Sequence, residues 1–177
     1  MLAKHLRQPL LGRRAFAAIG DRFPTVDLHL GFPPAKVNTT ERLAGKKTIV
    51  IGIPGAFTPV CSNQHVPGFL AQQSALKAKG VDEVLVCSVN DGAVMEAWGK
   101  DQKIDGSMVT FLADTEGTMA KALDLVLDNP TIREKLGGPR MKRFAMLVQD
   151  NVIQALAVAG DEVPDTATFA EAILEKC

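Results

Sequence analysis

Apolar and polar positions along the chain alternate between the two-residue period of strands and the longer period of helices, and the switches divide it into short elements. A strand is predicted over residues 26–30, a turn at Pro33 and Pro34, and a β-rich strand over 48–53 that Pro54 and Gly55 terminate. Helical spacing starts near Val60 and continues to Lys79, with Gly80 suited to the position just past the end and Pro67 expected to kink it. Residues 81–89 have the pattern of a buried strand, and Asn90-Asp91-Gly92 turns the chain into an amphipathic helix over 93–102. A strand over 109–112 and a helix over 118–127 follow. Beyond the break at Gly137-Gly138-Pro139, strands over 143–149 and 152–159 flank Asp150-Asn151 as a hairpin, and the last helix spans 168–176. Alternating strands and helices closed by a hairpin predict an α/β fold with a central mixed β-sheet flanked by helices.

Composition narrows the class. At 177 residues, 46% apolar and 23% charged, the chain is sized and composed as one globular domain with room for a short extension. Its longest apolar stretches, 48–54 and 152–159, fall short of the roughly 20 residues that span a bilayer, so no membrane segment is expected. Basic and acidic residues balance at 20 each, which gives no global field directed at nucleic acid. Lys4, Arg7, Arg13 and Arg14 stand in the first twenty residues without an acid, leaving 16 basic groups against 20 acidic ones downstream. An Arg-rich, acid-free start has the composition of an organelle import segment, and Arg14-Ala15-Phe16 resembles a mitochondrial processing site. Residues 1–20 are therefore expected to be a targeting extension to the mitochondrial matrix, and residues 21–177 the folded domain. Pro9, which interrupts any amphipathic helix there, keeps open the alternative of a basic tail on a cytoplasmic protein. Three cysteines, Cys61, Cys87 and Cys177, are odd in number and have no C-x-x-C spacing, which disfavours a secreted disulfide framework and points to a reducing compartment.

The strongest chemical signal is Pro54-Gly55-Ala56-Phe57-Thr58-Pro59-Val60-Cys61, where a strand ends in a proline-rich loop and delivers a cysteine to the first turn of a helix. The thiolate is the nucleophile, and a free cysteine with pKa about 8.5 is only about 3% thiolate at neutral pH. A helix start contributes about 0.3–1 kcal/mol toward an anion, so useful activation requires a cation as well. An arginine about 4 Å away attracts it by about 4 kcal/mol at an effective dielectric of about 20, before desolvation is deducted. Arg143, which leads the strand Arg143-Phe144-Ala145-Met146-Leu147-Val148, is the best candidate, with Arg140 and Lys142 as neighbouring competitors. Thr58, three residues before Cys61, can offer its hydroxyl to the sulfur or to a substrate oxygen, or can cap the helix.

Pro54, Thr58 and Cys61 match the Pro-x-x-x-Thr-x-x-Cys signature of peroxiredoxins. The surrounding residues, with His65-Val66-Pro67-Gly68-Phe69, Ser88-Val89-Asn90-Asp91, Ala97-Trp98 and Lys142-Arg143-Phe144-Ala145, resemble the type II, or peroxiredoxin V, branch from about Phe23 to the C-terminus. The resemblance implies a thioredoxin-like fold, with which the order of elements is compatible, and a thiol-dependent peroxidase. It further implies that Cys61 attacks a hydroperoxide, Thr58 orients it, Arg143 stabilises the thiolate and the stretched O–O bond, and Pro54 shields the site. No metal or organic cofactor is implied, and a homodimer is.

The second sulfur of the cycle is where the chain departs from its relatives. Many of them carry a resolving cysteine in the strand before Ser-Val-Asn-Asp, but Val86 stands at that position and Cys87 one residue later, a shift that turns a strand side chain to the opposite face. Others carry it near the last helix, where Ala167 stands. Cys87 then reads as a buried structural thiol and Cys177 as an incidental one at a fraying end, which leaves both as poor candidates for resolution. The expected reductant is an external thiol, glutathione with glutaredoxin, or thioredoxin. The rival reading is a peroxide sensor, redox relay or holdase-like binding protein that uses the same cysteine. Cys61 and His65 stand four apart, a spacing that can bind zinc, but no second pair accompanies them, and His65 is expected to pack beside the Pro67 kink. Trp98 is read as a core or interface aromatic and Glu96 as a solvated helix residue.

Overall fold

The computed structural model describes residues 17–160 and 165–177. In chain order the strands are β1 (Asp27–Leu30), β2 (Ala35–Asn38), β3 (Lys47–Ile53), β4 (Glu83–Ser88), β5 (Val109–Ala113), β6 (Val126–Leu127), β7 (Arg140–Met141), β8 (Phe144–Gln149) and β9 (Val152–Val158). The helices are α1 (Thr39–Leu43), α2 (Val66–Ala71), α3 (Gln73–Ala78), α4 (Gly92–Asp101), α5 (Thr118–Ala122), α6 (Pro130–Leu136) and α7 (Ala170–Leu174). Seven strands form one sheet in the order β2-β1-β5-β4-β3-β8-β9, while β6 and β7 pair separately. Strands β3, β4 and β5 run parallel, and β8 is antiparallel to β3. The sheet is therefore mixed, with helices on its faces, as the pattern predicts.

Burial explains which runs became central strands. Every residue of β4, and every residue of β3 after Lys47, is buried, which is why both read as continuous apolar runs rather than alternating ones. Ile49, Ile51 and Ile53 of β3 and Val84 and Val86 of β4 face one core with Phe69 and Trp98. Val50, Leu85 and Cys87 face the other, with Phe23, Leu43, Met119 and Met146. Asp150 and Asn151 both adopt left-handed backbone, φ 46° and 66°, and join β8 to β9 as the two-residue hairpin expected from their types.

Three expectations are corrected. The helix expected over 60–79 is broken into pieces: a π-type turn over Cys61–His65, then α2, then α3 after a break at Gln72. Pro67 has no amide to return to residue 63 and its ring crowds that carbonyl, so the turn ahead of it widens and Val66 N–H bonds back to the Cys61 carbonyl. The helix expected over 118–127 ends after Ala122, because Asp124 turns left-handed (φ 56°) and 126–127 pair as β6. Short β2, α1 and α6 occupy stretches where no element was expected. Most of the expected targeting extension, residues 1–16, lies outside the described residues. Residues 17–20 of that stretch join the domain through Ala17 N–H to the Leu123 carbonyl and Gly20 N–H to the Ile153 carbonyl. Among the described residues no helix is long and apolar enough to cross a membrane.

Candidate active site

Cys61 opens the π-type turn that follows β3 and is completely buried. Arg143 precedes β8, the strand hydrogen-bonded alongside β3, so the antiparallel pairing Gly52↔Phe144 carries its side chain toward the end of β3. Its Nη1 donates to Cys61 Sγ at 3.5 Å. The guanidinium is 7% exposed, which places a permanent charge in a largely water-free setting beside the sulfur. Of the neighbouring candidates, Arg140 goes elsewhere: its Nη1 donates to the Val89 carbonyl at 2.8 Å and its Nη2 to the Leu136 carbonyl, which fastens the end of α6.

His65 completes the contact. Its Nδ1 lies 3.1 Å from Arg143 Nη1 and its Nε2 lies 2.9 Å from the Thr168 carbonyl oxygen. A carbonyl only accepts, so the hydrogen-bond network assigns the proton to Nε2 and leaves the Nδ1 lone pair facing the guanidinium. The ring is fully buried, stacked on Phe169 at 5.3 Å and met edge-on by Phe69 at 5.6 Å. Burial pushes its pKa down to about 4, opposed by the Thr168 carbonyl and assisted by the Arg143 charge. The expectation that His65 packs beside the kink is met, but its hold on Arg143 was not anticipated. Asp165 Oδ2 stands 3.4 Å from Arg143 Nε, a second partner whose sequence position gave no signal.

Thr58 Oγ1 donates to the Gly55 carbonyl at 2.9 Å. With its only hydrogen used inside the loop, the hydroxyl presents lone pairs, so it can accept a hydrogen bond from a substrate O–H but has none to give the sulfur. The Thr58 carbonyl, not its side chain, receives Ser62 N–H at 2.9 Å. Asn90 steadies this loop: its Oδ1 accepts from Ala56 N–H at 3.0 Å and from the Ser88 hydroxyl at 2.7 Å. Pro54 and Arg143 line an open cleft of about 270 Å³ together with Lys142 and Asp165. Larger hollows of about 350 and 470 Å³ lie elsewhere and touch neither Cys61 nor Arg143. Trp98 is a buried core aromatic whose ring packs against Phe111 at 4.5 Å with the planes tilted by 34°, and its indole N–H donates to Ser62 Oγ at 3.1 Å, next to Cys61 in the chain.

The other two thiols are not brought to the site. Cys87 is fully buried on the opposite face of the sheet, and burial, with the Asp114 carboxylate second, raises its pKa far above the usual thiol range. Val86 occupies the face that Cys61 shares, as the one-residue shift requires. Cys177 donates to the Ile173 carbonyl near Lys47 and Lys79, at the start of β3. Cys61 follows the far end of that strand, roughly 20 Å away at about 3.3 Å per residue. All three cysteines are free, and among the described residues no group of three or more His, Cys, Asp or Glu could hold a metal ion.

The sequence model of the Redoxin family matches residues 18–174, which is nearly all of the described chain. Peroxiredoxin-2C of Oryza sativa subsp. japonica is 46% identical over 163 residues, covering 89% of this chain and 96% of its own. The chain belongs to the type II peroxiredoxins. Peroxiredoxin-2B of Arabidopsis thaliana is 46% identical over 133 residues, or 75% of this chain and 78% of its own. Among solved structures, reduced Prx3 of Vibrio vulnificus in complex with hydrogen peroxide superposes with a TM-score of 0.83 at 36% identity, covering 90% of this chain and 95% of that one. Peroxiredoxins are thiol peroxidases, and the mixed sheet flanked by helices is their thioredoxin-like fold.

Proposed function

We propose that this peroxiredoxin reduces hydrogen peroxide and alkyl hydroperoxides through a Cys61 sulfenic acid that an external thiol resolves. The observation that carries the reading is the contact of a buried guanidinium with the only cysteine at the end of β3. The Cys61 thiolate attacks one peroxide oxygen, an S–O bond forms as the O–O bond breaks, and the departing alkoxide or hydroxide leaves as alcohol or water after taking a proton. Arg143 steadies the sulfur anion and the charge that grows on the leaving oxygen, Thr58 accepts the peroxide O–H, and Pro54 screens the cleft. Burial of the sulfur favours small substrates, and the complex of the Vibrio relative with hydrogen peroxide supports that class.

A thiol then displaces water from the sulfenic acid, and a second thiol releases the mixed disulfide and restores Cys61. The placement of Cys87 behind the sheet and of Cys177 at its other end supports an outside donor, glutathione with glutaredoxin or thioredoxin. Two exposed aromatics, Phe32 at 65% and Phe57 at 55%, stand against α4 through Glu96 and Trp98 and support a homodimer through that face. The acid-free residues 1–20 support import into the mitochondrial matrix. Peroxide consumption measured with each reductant, with Cys61→Ser as control, tests the cycle. Turnover with either reductant and none in Cys61→Ser is the expected result. A quantitative Cys61–Cys87 or Cys61–Cys177 disulfide in peroxide-treated protein would overturn external resolution, and poor turnover with every small reductant would favour a sensor or relay.

A further inference from the structure

We infer that His65 is a positioning residue that fixes the plane of the Arg143 guanidinium so that one Nη1 hydrogen points at the Cys61 sulfur. The inference rests on the peroxidase reading and deepens it. A guanidinium on a long side chain rotates about its last bonds unless more than one hydrogen bond defines its plane. Nη1 carries two hydrogens, and two acceptors meet it: Cys61 Sγ at 3.5 Å and His65 Nδ1 at 3.1 Å. The shorter contact is the one to the imidazole. Arg143 Nε, by contrast, is buried without a hydrogen bond, and its neighbour Asp165 Oδ2 stands 3.4 Å away as an ion pair only. The imidazole is therefore the acceptor that locates this end of the guanidinium.

The imidazole is itself immobilised. Thr168 holds its Nε2–H, Phe169 covers one face and Phe69 meets its edge. The ring must be neutral to offer Nδ1 as an acceptor, and its burial keeps it so at physiological pH. Cys61 and His65 also share the π-type turn, so the sulfur and the group that aims its donor are carried on one rigid piece of backbone. The 165–168 turn is thereby tied to the sulfur through three hydrogen bonds, His65 to the Thr168 carbonyl, Arg143 to His65 and Arg143 to Cys61.

The test uses the chemical difference between two amides. Asparagine places its side-chain oxygen near the Nδ1 position and so keeps the acceptor for Arg143; glutamine places its NH2 near Nε2 and so keeps the donor to Thr168. Oxidation of the reduced full-length protein by hydrogen peroxide is followed by stopped flow, through Trp98 fluorescence and through peroxide loss, with melting temperature recorded for each variant. His65→Phe, which retains an aromatic between Phe69 and Phe169, is expected to oxidise about tenfold more slowly, or about 1.4 kcal/mol. His65→Asn is expected to recover most of that rate, and His65→Gln to recover melting temperature but not rate. In the Arg143→Ala background, His65→Asn and His65→Gln are expected to oxidise at the same rate. If His65→Gln recovers the rate and His65→Asn does not, or if His65→Phe oxidises as fast as wild type, the inference is wrong while the peroxidase reading stands. If His65→Phe does not fold, the comparison of Asn with Gln decides alone. Wild-type protein that leaves peroxide untouched refutes the peroxidase reading itself.

Discussion

Replacing Arg143 by alanine removes the guanidinium that contacts the Cys61 sulfur without touching a strand. At 3.5 Å and an effective dielectric of about 20, guanidinium and thiolate attract by about 5 kcal/mol. That figure is a ceiling, because a guanidinium only 7% exposed has given up hydration worth several kcal/mol. Hydrogen bonds to charged groups contribute about 1.5–3 kcal/mol net, so Arg143→Ala is expected to slow peroxide attack by about 10- to 150-fold. Arg143→Lys keeps the charge, but its ammonium hydrogens are not held in one plane between sulfur and imidazole, so its rate should fall between those of wild type and alanine. The assay is pseudo-first-order oxidation under excess hydrogen peroxide, read by Trp98, the sole tryptophan, whose indole is hydrogen-bonded to Ser62 beside Cys61. Peroxide loss measured in parallel guards against a silent fluorophore. A folded Arg143→Ala protein that oxidises within twofold of wild type would refute the assignment of this arginine to the site.

Three further outcomes are expected. The unfolded chain protonates His65 near pH 6.5 and the folded chain only near pH 4, so acid favours unfolding between those values; the contribution, about 3 kcal/mol, is complete above about pH 6.5 and gone below about pH 4. Urea midpoints of wild type should therefore fall more steeply over that window than those of His65→Asn, and parallel curves would contradict this. Gly52→Ala would set a methyl carbon 2.1 Å from Phe144 Cε1 and 2.7 Å from Met141 Sδ, and should cost about 1–3 kcal/mol or more in denaturant unfolding; an unchanged midpoint would mean that Phe144 moves freely aside. Phe57→Glu should convert the proposed dimer to monomer in sedimentation, and a monomeric wild type would remove the dimer proposal.

The central strands and the hairpin were legible because their causes are local. Apolar runs such as 48–53 have nowhere to go but a sheet buried on both faces, and Asp150-Asn151 tolerate the left-handed backbone that a two-residue turn demands. Cys61 was legible because proline, threonine and cysteine at fixed spacing describe one loop, and Arg143 because it leads an apolar strand. The π-type turn was not, since Pro67 announces a disturbance without saying whether the helix bends or widens. Nor could pattern reveal that Asp165 and the Thr168 carbonyl, about a hundred residues downstream of Cys61, close the site, because those contacts depend on where the last turn docks. Helix 118–127 was overextended because its continuing apolar spacing concealed a tertiary competitor, the pairing of 126–127 with 140–141.

The central sheet has a further effect when regarded as a partition. It puts Cys61 in one compartment of the protein and Cys87 in the other, with a wall of backbone between them that no rotamer change crosses, while Cys177 packs on the Cys61 side beside Lys47 and Lys79. Under the proposed external resolution, a molecule divided in this way registers one oxidising event and then waits for an outside thiol. If an outside thiol resolves Cys61 as proposed, throughput in a cell would follow the supply of small thiols, and thiol starvation would halt the protein in its oxidised form without damaging the fold.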